Sequence, residues 1–143
     1  MSATSANLAS LLQTKADITY YTQQMMFWTN KYDANAAKLQ QQVKYETKWE
    51  SAFDKAIDNK SVLEKGGVRV AKDNQCEDIA DAYAHACVEE YDEEMSLELA
   101  DKDFEYESMK TMYETLLEEM RAREESEKQL VSDSASDTGL LNQ

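Results

Sequence analysis

Large apolar residues return every three and four positions along the stretch from Leu8 to Ala56. One register of fourteen positions there holds ten apolar residues, whereas the registers one residue to either side hold five each. This spacing is typical of a seam along which one helix packs against another. We call the register the first seam; its members are Leu11, Thr14, Ile18, Tyr21, Met25, Trp28, Tyr32, Asn35, Leu39, Gln42, Glu46, Trp49, Phe53 and Ala56.

Few residues in the chain can interrupt a helix, because there is no proline and the three glycines are Gly66, Gly67 and Gly139. The start and stop signals predict one helix over about residues 6–64, a glycine-marked connector over 65–73 and a second helix over about 74–130. The alternative for the first helix is a kink or short turn near residues 30–35, where asparagine and aspartate are weak helix formers.

The second predicted helix carries its own stripe, in which eight of eleven positions are apolar. Ala80, Ala84, Val88 and Tyr91 lead into it. The small residues Ala80, Ala82, Ala84 and Ala86 would allow a close approach by a neighbouring helix. The stripe consists of Met95, Leu99, Lys102, Tyr106, Met109, Tyr113, Leu116, Met120, Arg123, Glu127 and Leu130.

Two helices of similar length, joined by one bend, predict an all-α fold: a long antiparallel helical hairpin, or coiled coil, over residues 1–131. Residues 132–143 are rich in serine and aspartate and lack periodicity, so we expect a disordered tail there.

The net charge of −14 is distributed unevenly. Residues 1–60 carry seven basic and six acidic side chains, whereas residues 61–143 carry eight basic and 23 acidic ones. An acidic surface repels phosphate, so we expect no binding to nucleic acid or anionic membrane surfaces. No apolar run approaches the roughly 20 residues that a membrane-spanning helix needs, so we expect no membrane span.

The sequence offers little for catalysis or metal binding. His85 shares a helical stripe with Asp78, Asp81 and Glu89, but a ferritin-like centre needs a second histidine and the chain has one. Cys76 and Cys87 are eleven residues apart, too far along one helix to share a zinc ion or a disulfide. We interpret them as buried core thiols, with an intermolecular bridge as the alternative. We therefore expect no enzyme activity, metal or cofactor.

Trp28 and Trp49 lie three heptads apart at equivalent places in the first seam. They are either anchors for another helix or subunit, or core residues of the hairpin itself. The polar residues Asn35, Gln42 and Glu46 between them favour a specified partner, since polar seam residues commonly fix register. The predicted interface residues are Tyr21, Met25, Trp28, Tyr32, Leu39, Trp49, Phe53, Met109, Tyr113 and Leu116.

The N-terminal segment Met1–Asn7 is rich in serine, threonine and alanine, without the basic cluster and apolar core of an ordinary signal peptide. It resembles the uncleaved export signals of type III secretion substrates. The hairpin is similar in outline to needle and WXG-type secreted proteins, although neither tryptophan is followed two places later by glycine. The resemblance implies export independent of a signal peptide; the alternative is a cytoplasmic location.

These features favour a non-enzymatic structural or assembly protein that self-associates into a bundle, tube or filament. The alternative is a cytoplasmic acidic coiled-coil adaptor, or a chaperone-like binder of a basic or amphipathic helical partner.

Overall fold

The computed structural model describes the backbone of residues 2–65 and 73–141 and the side chains of residues 2–59 and 77–136. It contains three helices, α1 (Ala3–Lys65), α2 (Asp73–Cys87) and α3 (Glu93–Leu141), and no strand in these ranges. α1 and α3 pack against each other, so the predicted all-α helical hairpin is confirmed. Residues 66–72 of the predicted connector lie outside the described residues.

The predicted first seam is the packed face of α1. All fourteen of its positions are buried or half-buried, including the polar residues Thr14, Asn35 and Gln42, which expose 2%, 6% and 7% of their surface. α1 continues through residues 30–35, so the alternative of a turn there is wrong. The Asn35 side-chain amide donates a 2.8 Å hydrogen bond to the Leu99 carbonyl. This tertiary contact offsets the weak helix propensity of asparagine.

The predicted single second helix is wrong, because α2 ends at Cys87 and α3 begins at Glu93. The Tyr91 N–H donates to the Val88 carbonyl at 3.3 Å, which turns the chain after α2. The Asp92 carboxylate then accepts the Met95 N–H at 3.1 Å and forms the N-cap of α3. Acidic residues in the first turn of α3 also suit the positive end of the helix dipole.

The chain divides into two compact units, which we call the first unit (Met1–Asp33 with Phe104–Gln143) and the second unit (Ala34–Asp103). In the first unit α1 and α3 run antiparallel: Asn7 pairs with Ser134 near one end, and Trp28 packs on Tyr106 near the other.

The second unit adds α2 to the packing of α1 on α3. Ala80 and Ala84 are completely buried, in agreement with the predicted close approach, and Val88 is 6% exposed. Ala82 and Ala86 are exposed, so the prediction is wrong for them; they lie on the other side of α2. Asn35 from α1 pairs with Leu99 of α3. Cys87 is a free, exposed thiol, so the prediction of a buried thiol is wrong there. Cys87 precedes Val88 by about 100° of helical rotation, which turns it away from the buried stripe. The side chain of Cys76 lies outside the described residues.

Seven of the eleven predicted α3 stripe positions are buried or half-buried: Leu99, Tyr106, Met109, Tyr113, Leu116, Met120 and Glu127. The other four, Met95, Lys102, Arg123 and Leu130, are exposed. Between Leu99, Tyr106, Tyr113, Met120 and Glu127 the packing also uses the residue after the predicted one, so Leu117 is 2% exposed whereas Leu130 is 52% exposed. These intervening positions are Asp103, Lys110, Leu117, Glu124 and Val131.

The expected disordered tail from residue 132 is also wrong for the residues described, because α3 runs to Leu141. The same spacing of four and three continues from Glu127 to Val131 and Ser134, both half-buried. The Asn7 side-chain amide donates a 2.8 Å hydrogen bond to the Ser134 hydroxyl. The packing of α3 on α1 therefore continues to Ser134 through a polar contact, beyond the last apolar residue of the periodic pattern.

Candidate interaction surface

All ten predicted interface residues are half-buried, and none is fully buried or fully exposed. Tyr21 and Tyr113 meet with ring centroids 6.0 Å apart, while Trp28 and Trp49 belong to different units. Met109 and Leu116 lie at the flank of the α3 seam, beside the more deeply packed Leu117. The contacts of the seam therefore form within one chain, but each side chain keeps some exposed surface.

Cations line the edge of the aromatic layer in the first unit. The Lys31 ammonium lies 4.8, 5.3 and 5.6 Å from the ring centroids of Phe27, Trp28 and Tyr106. The Lys110 ammonium lies 5.2 Å from the ring of Tyr32. Exposed cation–π contacts of this kind contribute about 0.5–1 kcal/mol each. The contact with Tyr32 lets Lys110 occupy a half-buried position of the α3 seam.

The aromatic layer of the second unit is centred on Trp49. Its ring stacks on Phe53 at 5.3 Å, with Tyr91 at 5.7 Å and His85 at 5.6 Å. Burial raises the pKa of Tyr91, and the nearby Glu46 carboxylate raises it further. Trp49 therefore joins α1 to α2 and to the link that follows it. This intrachain packing supports a core role for Trp49.

Gln42 stabilises the break between α2 and α3. Its side-chain N–H donates to the Glu90 carbonyl at 3.2 Å, and its side-chain oxygen accepts the Asp92 N–H at 3.1 Å. The Gln42 side chain supplies hydrogen-bond partners to backbone groups that the helical ladder leaves without one at this break. The sequence predicted a register-fixing polar residue in the seam; the structure gives Gln42 an intrachain backbone contact.

A second polar contact crosses the seam of the first unit at Glu127, which is 7% exposed. Its carboxylate accepts hydrogen bonds from the Thr14 hydroxyl and from Arg123 Nε, the latter at 3.0 Å. Hydrogen bonds from the Thr14 and Ser10 hydroxyls, together with the Arg123 guanidinium, lower the pKa of Glu127 below its ordinary value. Glu127 is therefore held as a carboxylate in the seam.

Within the described residues, no group of three histidine, cysteine or acidic side chains is arranged to hold a metal ion. His85 lies 3.6 Å from Asp81, and each side chain is about half exposed. Exposed helix acids beside a histidine form a weak surface pair.

Two outer surfaces stand apart from the seams. On α1 in the second unit, the basic face comprises Ala37, Gln41, Lys44, Tyr45 and Lys48, which line one open groove. On α3 in the first unit, the acidic face comprises Phe104, Glu105, Glu107, Thr111 and Met112; all but Glu105 line a second groove. Neither face is among the predicted interface residues, which all belong to the two seam patterns, although Tyr45 outside the first seam was a signal for a second contacted face.

Exposed aromatic and aliphatic groups mark the acidic face most clearly. Phe104 exposes 74% of its surface and Met112 43%. Exposed apolar groups clustered among charges are typical of a protein–protein contact surface, whereas scattered ones are common on any protein.

None of the helices in the described part of the chain is both long and apolar enough to span a membrane. Comparison of the whole chain with protein-family models, curated proteins and solved structures finds no match.

Proposed function

We propose that this chain is a non-enzymatic structural protein, a helical hairpin that self-associates into a larger assembly such as a bundle, tube or filament. The observation that carries the proposal is incomplete coverage of large apolar side chains. All ten predicted interface residues remain half-buried in a single copy, and Leu12, Phe104 and Leu130 are more than half exposed. A further helical surface would cover them.

The small fully buried core supports the same proposal. In the described residues six apolar side chains are buried, and two of them are alanines: Leu11, Ala80, Ala84, Val88, Leu99 and Leu117. Fully burying one further large apolar side chain contributes roughly 1.5–3 kcal/mol. Covering four would contribute roughly 6–12 kcal/mol, comparable with the cost of about 4–15 kcal/mol for association. Self-association thus needs a whole face and depends on concentration.

The proposal is tested by light scattering coupled to size exclusion over a concentration series, with negative-stain microscopy of the heaviest fraction. We expect molar masses at multiples of 16.4 kDa and regular particles or fibres. A mass of one chain at every concentration would overturn the proposal.

A second candidate function is an acidic adaptor for a basic or amphipathic helical partner. The outer positions of α3 between Phe104 and Ser126 favour it, because they carry four glutamates and no basic residue: Phe104, Glu105, Ser108, Thr111, Met112, Thr115, Glu118, Glu119, Ala122, Glu125 and Ser126. A basic helical peptide should then bind a monomeric chain, and raising the salt concentration should weaken the complex.

Export without a cleaved signal remains a prediction. Fusing residues 1–20 to a reporter enzyme in a bacterium with a type III system would test it, since an export signal should carry the reporter into the medium. Retention of the reporter in the cells would count against the prediction.

A further inference from the structure

We propose that the basic face of one copy docks on the acidic face of a second copy. This inference rests on the proposed self-association and assigns one contact to it, on the outer faces and separate from the half-buried seam. The two faces are different surfaces of the same chain, so each copy offers one of each. Where each copy uses only one of its two faces in a given contact, the contact is head-to-tail and builds rings or open chains.

The basic face suits an acidic, aromatic partner. Lys44 and Lys48 are both exposed and lie one helical turn apart on the same side of α1. The outer positions of α1 between Ala34 and Ser51 contain no acidic residue: Ala34, Ala37, Gln40, Gln41, Lys44, Thr47, Lys48 and Ser51. Ala37 and the half-buried Tyr45 give the groove an apolar floor.

The acidic face has the complementary chemistry. Phe104 is the most exposed of the large apolar side chains, and Glu105 and Glu107 beside it are exposed as well. The structure gives neither carboxylate an ion pair with any described residue. Both charges are therefore available to a partner.

Docking would place the Phe104 ring of one copy in the groove beside Tyr45 of the next. The stems of Lys44 and Lys48 would cover the ring, and their ammonium groups would meet Glu105 and Glu107. A second copy is favoured as the occupant because the chain itself supplies both the aromatic anchor and the matching charges. Paired charges at the rim fix orientation, while the apolar groups supply most of the affinity.

The test uses two charge-reversal variants of the full chain, K44E/K48E and E105K/E107K. Each variant alone should lose self-association, with a dissociation constant at least about tenfold higher than that of the wild-type chain. Mixed in equal amounts they should associate, because one retains the acidic face and the other the basic face. Combining all four changes in one chain should also restore association.

Matched controls carry the same changes of charge at exposed sites away from both faces. K15E/R121E alters the net charge as K44E/K48E does, and E77K/D78K alters it as E105K/E107K does. Both controls should assemble like the wild-type chain, and circular dichroism should show equal helix content in every variant.

The outcomes separate this inference from the function on which it rests. Assembly of both reversal variants at wild-type strength would overturn the docking contact while leaving self-association intact. A wild-type chain that stays monomeric would overturn both. If the wild-type chain is monomeric and binds a basic helical peptide, and the E105K/E107K variant no longer binds that peptide, the acidic face serves another protein. That result would also overturn the inference.

Discussion

Replacing Gln42 with alanine should destabilise the second unit through the break between α2 and α3. The change removes the acceptor of the Asp92 N–H and the donor to the Glu90 carbonyl. Two ordinary hydrogen bonds contribute about 1 kcal/mol each, and a buried polar group left unpaired costs roughly 1–3 kcal/mol. The Gln42 side chain is 7% exposed, but Glu90 and Asp92 are exposed residues, so water can reach part of the freed backbone groups. We expect the free energy of unfolding to fall by about 1–3 kcal/mol.

Urea unfolding followed by circular dichroism measures this loss, at one fixed protein concentration because association would add to stability. Hydrogen exchange localises it, since the Asp92 amide should exchange faster in Gln42→Ala. Gln13→Ala is the matched control; Gln13 is exposed, lies outside both outer faces and donates to the Asp17 carboxylate at 3.0 Å. A Gln42→Ala chain as stable as this control, with unchanged protection of Asp92, would refute the reasoning.

Three further changes test the packing and the seam. Leu117→Ala should cost about 2–5 kcal/mol of unfolding free energy, whereas Leu130→Ala should cost far less, because Leu117 is 2% and Leu130 52% exposed; equal losses in urea unfolding would contradict the α3 register. Ala84→Leu should cost about 1–3 kcal/mol or more, because Ala84 is completely buried; a melting temperature equal to that of the wild-type chain would contradict the close approach. The hydrogen bond from the Thr14 hydroxyl is the largest cause of the lowered pKa of Glu127. Because the folded-state pKa is the lower one, the ionised Glu127 stabilises the fold above the unfolded-state pKa, and this stabilisation is lost as the pH falls through the folded-state pKa. Urea midpoints between about pH 3 and 6 should therefore fall less with acid in Glu127→Gln than in the wild-type chain, and parallel pH profiles would contradict this role.

The first seam could be predicted in full from the sequence because its signal is redundant. Fourteen positions repeat the same spacing, so four polar residues do not obscure the register. Polar members such as Asn35 and Gln42 pack through hydrogen bonds to backbone groups of distant residues. Those partners lie 64 and 48 residues away, and a local pattern cannot identify them.

The α3 seam was harder to predict because charged residues occupy it. Asp103, Lys110 and Glu124 are half-buried, while the apolar Met95 and Leu130 are exposed. A search for apolar residues therefore selects the neighbouring register at every second position. The ring of Tyr32 beneath the Lys110 ammonium shows one way that a charge is accommodated there.

The break after Cys87 did leave a local signal. Asp92 is a strong N-cap residue, and Glu93 and Glu94 follow it in the first turn of α3. Acidic residues are so frequent in this half of the chain that the signal does not stand out. The side-chain oxygen of Gln42, on α1, accepts the Asp92 N–H at the break, and only the folded structure reveals that contact.

The outer faces could not be identified from periodicity, since a helix needs no particular residue on its solvent side. Phe104 stands outside the predicted stripe, and its 74% exposure becomes meaningful only once the seam has been located. Sequence also cannot separate a seam closed within one chain from one closed between chains, because both require the same spacing.

Sedimentation velocity over a wide range of protein concentration tests the central claim of self-association most directly. Self-association predicts that the sedimentation coefficient rises with concentration and that the fitted molar mass exceeds the 16.4 kDa of one chain. A single boundary of one-chain mass at every concentration would contradict it.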